Sequence, residues 1–592
     1  MERRVLLAIT LSFLVLFLFQ RFVMPPAAPA GAGATGGKPS NQSGAANTNP
    51  IPTSAPGGAT VGQPAAVGGT GPAAASAAPA AIAPASATAE VLLGDTAERE
   101  IVVETTTVHA VFTNRGARLL HWKLKAYKND KGEPLELVPG GAGPEAIKPF
   151  TLAVDDAAVT QALNNSLYQV TDGGGKPDGG GKPLGLPIDA TTQPATLAFE
   201  MKTADGLSVK KSFIFQPEGF IVSFDAVVER GGQRLNPTVQ WGPGLGDDIA
   251  RAKPASFFSP SYNTPAQAIV HVDGKVQRLA VTSGGSQEGA NLYAGVDDHY
   301  FVSMLLNNES PAPFQFQHAP FVVPPTDESG MTGRYIEYAV RYQAPRDTMR
   351  FYFGPKSLDE LRAIDTEMVR VINYGIFSWL AVPLLGGLKW VHQFIGNWGW
   401  SIVVLTILIN LAMFPLRQMS VVSMRKMQAI QPQMKAIQDR YAKYKVTDPE
   451  RQKMNTEVME LYKSKGVNPA AGCVPMLLTL PFLFAFYSML SQSIEIRGAH
   501  FTLWLTNLSA PDPWFIMPIL NGAAQFWQQR MTPTTMDPAQ AKVMMFMPIM
   551  FMFMSLSFPS GLVVYWFVST VLTIGQQYLT NYMMGSPKTV KA

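Results

Sequence analysis

One cysteine in 592 residues, Cys473, leaves no disulfide framework within the chain and no cysteine-rich metal site. The seven histidines are scattered, with no H-x-x-x-H or H-E-x-x-H spacing, so no metal or other cofactor is expected. The glycine-rich stretch 173–182 lacks phosphate-loop spacing: the position five before Gly181 is Lys176, and Lys182 is followed by Pro183. It is expected to be a surface loop, and no nucleotide is implied. A formal charge of +4 is too small to argue for DNA or RNA. Five apolar runs near the C-terminus, at 398–414, 474–490, 514–529, 543–558 and 561–580, contain no Asp, Glu, Lys, Arg or His. Ion-coupled transporters and proton relays usually depend on ionisable groups at such depth, so their absence disfavours that class. A polytopic solute transporter or channel with an exported binding domain stays as the alternative reading. A sugar-binding or sugar-modifying domain on a membrane anchor is a further one.

Charge is present where those runs stop. Between Leu416 and Asn468 lie eleven basic residues and five acids. A short cationic loop between hydrophobic spans faces the cytoplasm, because orientation follows the Lys/Arg bias. Met427, Ile430, Met434, Ile437 and Tyr441 repeat at the 3,4 spacing of a coiled-coil seam, and Met454, Val458 and Leu461 continue it. Thr447, Pro449 and Glu450 read as the capped start of a second helix. The segment 417–468 is therefore expected to form an antiparallel helical hairpin. Arg425, Lys426, Met427, Met434 and Arg440 are the candidates for its contact surface.

The remaining organisation follows from texture. Residues 1–24 carry Glu2-Arg3-Arg4 and then an apolar run, a cleaved signal peptide or an anchor, with the anchor preferred. Residues 25–90 are Pro, Ala, Gly, Ser and Thr with almost no charge, a flexible linker that cannot bury enough apolar surface to fold. The exported region 91–368 shows short β-type runs at 101–113, 119–127, 195–201, 207–215, 221–228, 299–306 and 335–342. With no helical periodicity between them, they suggest an antiparallel all-β sandwich. The helical part is 369–592. Within it, 375–395 is interrupted by Pro383, Lys389 and His392, and crossing the bilayer there would put the cationic hairpin outside. It is expected as an interfacial helix on the exported side. Spans of 16–17 residues reach about 24–26 Å, short of a hydrocarbon core of about 30 Å, so thinned lipid is expected around them.

The spans carry uncharged polar residues instead of charged ones: Thr406 and Asn410; Thr479; Asn521, Gln525 and Gln528; Ser569 and Thr573. Any one of them can be an ordinary interhelical hydrogen bond, but together they favour a wetted groove. Counting inward from Trp400 and Trp514 puts Asn410 about 15 Å and Gln525 about 16 Å deep. The two amides are expected to hydrate the groove jointly, since an amide both donates and accepts. Six methionines in 543–558 suit a surface that adapts to many apolar partners.

An ordered set of motifs then points to a family. Gly396-Asn397-Trp398-Gly399, Asn468-Pro469 with Gly472-Cys473 and Pro475, Phe501-x-x-Trp504, Met531-x-Pro533-Thr534-Thr535 and Phe558-Pro559-Ser560-Gly561-Leu562 closely resemble the YidC membrane-insertase family over 370–585. The resemblance implies a five-span helical bundle plus an N-terminal anchor span, with a periplasmic β-supersandwich, in a bacterial inner membrane. It implies an insertase and chaperone, not an enzyme. Its partners would be nascent membrane proteins, the ribosome, the Sec translocon and membrane lipids. It also places Tyr565 and Trp566 where a client enters. This chain has Asn410 where most members place a groove arginine, and Thr479 where Gln is frequent. Charge attraction inside the groove is therefore not expected from the aligned positions.

Overall fold

The computed structural model describes residues 91–584 apart from 130, 141–145, 173–175, 178–186, 247–265, 280–283, 324–332, 445–447, 467–473 and 532–537. The anchor, the linker, most of the glycine-rich stretch, Thr447, Asn468, Pro469, Gly472, Cys473 and the Pro533-Thr534-Thr535 motif lie outside the described residues, as does the Thr479 side chain.

Residues 91–355 form three sheets, antiparallel except where Glu100–Glu104 runs beside Ile188–Asp189. The centre of the largest sheet follows the order Gln267–Val272, Tyr293–Asp297, Phe301–Leu306, Met349–Pro355, Ile221–Arg230, Leu207–Phe215, Ala195–Thr203. Period-two alternation builds it: in Leu207–Phe215 every second side chain points into the core. Phe150, Phe213, Phe224, Trp241 and Phe351 fill that core, with Phe213 and Phe224 centroids 4.9 Å apart and Phe150 and Trp241 5.0 Å apart. Trp122, on Arg118–Lys128, joins the third sheet to the largest by donating to the Phe353 carbonyl at 2.9 Å.

Three expectations change here. The run 101–113 is two strands, Glu100–Glu104 and Val108–Thr113, folded at Thr105, whose hydroxyl accepts from the Val108 amide. His299 belongs to a tight turn held by Asp298, not to the strand Phe301–Leu306. A helix, α1 (Ala157–Asn165), also interrupts the strands, started by the Asp156 side chain accepting from the Ala158 and Val159 amides.

The chain leaves the sheets through α2 (Leu358–Ile364) and enters α3 (Ser378–Ile395). One side of α3 buries Ala381, Leu384, Leu385, Leu388 and Val391 against the helices that follow, while Trp379, Trp390 and Phe394 stay exposed. Then come α4 (Trp398–Arg440), α5 (Pro449–Ser464), α6 (Val474–Gln492), α7 (Ile516–Met531), α8 (Pro538–Ser555) and α9 (Ser560–Met584). Among the described residues two stretches are long and apolar enough to cross a membrane, Trp398–Met427 in α4 and Ser560–Met583 in α9.

The hairpin does not begin as a separate element at 417. Its first arm is the continuation of α4, an unbroken 43-residue helix of about 65 Å. Ile430, Ile437 and Met454 form the buried seam between α4 and α5. The N-cap of α5 is Asp448, accepting from the Glu450 amide at 3.1 Å, with Pro449 in the first turn where no amide hydrogen is required.

Candidate functional site

The N-terminal ends of α4 and α9 are fastened by three of the motifs named above. Asn397 caps α4 and its amide also donates to the Phe501 carbonyl at 3.0 Å. Gly399 is needed there: a Cβ would sit 2.0 Å from the Phe501 ring. At the start of α9 the Ser560 and Gly561 amides donate to the Ala510 and Leu508 carbonyls at 2.8 and 2.9 Å, and the Ser560 hydroxyl donates to Asn507. One loop, 499–511, thus fixes the N-termini of both α4 and α9.

From that fixed end the two helices descend with polar groups between them. Thr406 turns its hydroxyl onto the Ile402 carbonyl, and Asn410 donates to the Thr406 carbonyl at 2.7 Å. The Asn410 oxygen receives the Arg417 guanidinium at 2.5 Å and the Ser569 hydroxyl at 3.4 Å. Arg417 also donates to the Thr573 hydroxyl at 3.2 Å. Further along, Gln576 faces the Phe414 carbonyl, Thr580 donates to Gln418 at 2.8 Å, and Arg425 donates to Asn581. Asn410, Arg417, Gln418 and Arg425 on α4 thus meet Ser569, Thr573, Thr580 and Asn581 on α9 along one seam.

Arg417 changes the expectation drawn from Asn410. It lies just beyond the apolar run, where a long cation ordinarily extends toward the cytoplasmic water. Side chains on a helix tilt toward its N-terminus, and residues seven apart share a face. Arg417 therefore reaches back about two turns and delivers a cation to the amide of Asn410. Among the described residues it has no carboxylate partner. The i, i+7 spacing of Asn410 and Arg417 was the signal available in the sequence.

The other candidates distribute as follows. Tyr565 is buried, stacked on Phe486 of α6 with centroids 4.1 Å apart, and Trp566 meets Phe551 of α8 edge-on at 5.4 Å. These rings brace α9 between α6 and α8. Gln525 is not bonded to Asn410: α9 packs on both α4 and α7, and the Nε2 of Gln525 has no hydrogen-bond partner among the described residues. On the hairpin, Arg440 pairs with Glu457 at 3.2 Å and Met434 accepts from the Tyr462 hydroxyl at 3.0 Å, while Lys426 is exposed.

Sequence reasoning also missed how closely the sheets hold the helices. The His299 ring donates to the carbonyl of Ser491, near the end of α6, at 2.6 Å. Arg497 lies over the Tyr300 and Phe301 rings and donates to the Lys128 carbonyl at 3.1 Å. Burial, and then the neighbouring Lys356 charge, pulls the His299 pKa down to about 4. Burial pushes the Asp298 carboxyl up to about 6.

Comparison with known proteins agrees with this division. A family model described as 60Kd inner membrane protein matches residues 390–587, and one described as YidC periplasmic domain matches residues 100–386. The chain is 35% identical over 523 residues to the membrane protein insertase YidC of Oleidesulfovibrio alaskensis, covering 83% of this chain and 88% of that protein. It is 38% identical over 393 residues to the membrane protein insertase YidC of Geobacter sulfurreducens, covering 65% and 70%. The crystal structure of an active YidC insertase with its first transmembrane domain resolved aligns at a TM-score of 0.33 and 17% identity, over 83% of this chain and 95% of that one. With both parts matched by family models and relatives above 30% identity over most of their length, the chain belongs to the YidC membrane protein insertase family.

Proposed function

We propose that this protein inserts nascent membrane proteins into the bacterial inner membrane, receiving their hydrophobic segments at the seam between α4 and α9 and releasing them sideways into lipid. In this reading α4, α6, α7, α8 and α9 all cross the bilayer. The observation that carries the proposal is Arg417, a cation drawn back between two membrane-length helices and held, among the described residues, by an amide and a hydroxyl. Such a group requires water nearby, because a guanidinium has five N–H donors to satisfy. A wet seam on the cytoplasmic half shortens the distance over which a client's polar residues must be dehydrated. Transfer of the client's apolar side chains into lipid then drives release, at roughly 25 cal/mol per Å². Helices as short as α7, 16 residues or about 24 Å, favour thinned lipid at the exit.

The hairpin of α4 and α5 acts as the cytoplasmic capture surface, with Lys426 and its neighbouring cations suited to an anionic partner such as the ribosome. The exposed face of α3, with Trp379, Trp390 and Phe394, rests in the exported-side interface. The bundle works beside the Sec translocon or alone, without nucleotide.

The test uses the full chain in liposomes with a short single-span client. Arg417→Leu is expected to lower insertion about tenfold, the scale of one hydrogen bond to a charged group, and Arg417→Lys to restore part of it. Small-solute flux should stay at background. Insertion by Arg417→Leu at the wild-type rate, or solute flux that depends on the protein, would overturn the reading.

A further inference from the structure

Asn521 is fully buried in α7, and neither its amide nitrogen nor its amide oxygen has a hydrogen-bond partner among the described residues. One turn along, the Nε2 of Gln525 is also buried without one. On α4 and α9, by contrast, Thr406, Asn410, Ser569, Thr570 and Thr573 all bond to a carbonyl or to each other. Leaving a buried amide unpaired costs on the order of 1–3 kcal/mol, whereas an apolar side chain of the same size at that position costs nothing comparable. Two such groups on one stripe of one helix indicate a site whose partner arrives from outside the chain.

The wall over the stripe is suited to moving. Gly522 lets α8 approach so closely that a Cβ would lie 2.8 Å from the Met552 side chain. The outer side of α8 exposes Met545, Met547, Met550 and Met554, and flexible thioethers repack with little penalty when a neighbour shifts. No carboxylate or cation stands on α7 before Arg530, so a charged ligand has no counter-charge there.

We infer that Asn521 and Gln525 form a second polar contact site, separate from the α4–α9 seam, that binds an uncharged hydrogen-bonding side chain (Ser, Thr, Asn or Gln) on a client's hydrophobic segment when α8 gives way. The occupant is uncharged because an amide donates and accepts equally well. The inference rests on the insertase reading for its class of ligand.

The experiment pairs two hydrophobic peptides identical except for Asn or Leu at mid-length. The full chain, solubilised in detergent, carries a photo-crosslinking side chain in place of Ala524. The wild-type stripe should trap the Asn peptide about threefold to tenfold more than its Leu twin, the scale of a net hydrogen bond. Asn521→Leu should bring that ratio to one and raise the thermal midpoint of the protein. Equal trapping by the unsubstituted stripe, a preference that survives Asn521→Leu, or a midpoint lowered by that change would each overturn the inference. Trapping needs no insertion, so a chain that shows the preference yet inserts neither peptide into liposomes retains this site and loses the insertase reading.

Discussion

Two cations, Lys211 buried in the sheets and Arg417 half-buried between the helices, are held in opposite ways. Lys211 sits at an inward position of the strand Leu207–Phe215 and is fully buried. Its ammonium donates to the carbonyls of Gly116 at 2.6 Å, Phe150 at 3.0 Å and Ala117 at 3.3 Å. Those carbonyls come from backbone in the left-handed region, with φ of 69°, 67° and 48° respectively. The cage is rigid and uses every proton of the ammonium, although burial still pushes the Lys211 pKa well below its ordinary value. Arg417 is only partly buried and leans on two neutral side chains, each able to turn away. In the sheets the Lys211 ammonium is thus held by fixed backbone alone. The helices leave Asn521 and Gln525 unsatisfied and Arg417 loosely held, an arrangement suited to exchanging partners.

The strongest break of this contrast is Lys211→Met. Three caged carbonyls lose their donor at once, and the loss of stability is expected to be on the order of 3 kcal/mol or more. Denaturant unfolding of the full chain, followed by protease resistance of the β region, measures it. Insertion by the fraction that remains folded should be unchanged; a matching loss of insertion would mean that the sheets take part in function.

A smaller effect is expected where the two bodies meet. His299 has a lowered pKa in the folded chain, so the unfolded chain binds its proton first as pH falls. Its contribution is complete above about 6.5 and is lost on the way down to about 4, reaching about 2–3 kcal/mol by pH 4.5. Asp298, raised to about 6, has the opposite sign: its contribution is complete below its unfolded pKa and declines as pH rises through about 6. His299→Gln keeps a donor for the Ser491 carbonyl and removes one titration, so the melting-temperature difference from wild type should grow on acidification from pH 7 to 4.5. A constant difference would show that the ring takes up its proton equally in the folded and unfolded chains.

The smallest effect is expected from the largest deletion. Removing 95–345 takes away the turn at His299 but none of the seam residues. Insertion should stay within about threefold of wild type, the scale of the lost docking hydrogen bonds. A truncated chain that is stable and correctly oriented yet inactive would move the functional centre into the sheets.

Much of this was legible before folding was considered. The 3,4 spacing from Met427 to Tyr441 marked the hairpin seam, and the buried positions Ile430 and Ile437 lie on it. The β-type runs 207–215 and 221–228 are both strands, but the turn at Thr105 lies in Glu104-Thr105-Thr106-Thr107, whose β-branched threonines suit a strand equally well. The cap of α5 was misassigned by one residue because Thr447 and Asp448 are both good N-caps, and only backbone geometry chooses between them. The resemblance places Tyr565 and Trp566 where a client enters; their ring contacts with Phe486 and Phe551 come from packing between helices and are not legible in the sequence.

Local pattern, then, determined where the chain is apolar, where it is cationic, and most of the segments that are helix or strand, because those properties depend on residues within a turn or two of one another. Partnership across the bundle was decided by tertiary structure alone. Arg417 meets Thr573 across 156 residues, and His299 meets Ser491 across 192. Whether an amide such as Asn410 is answered or one such as Asn521 is left open depends on which helix faces lie together, and packing of the whole chain sets that.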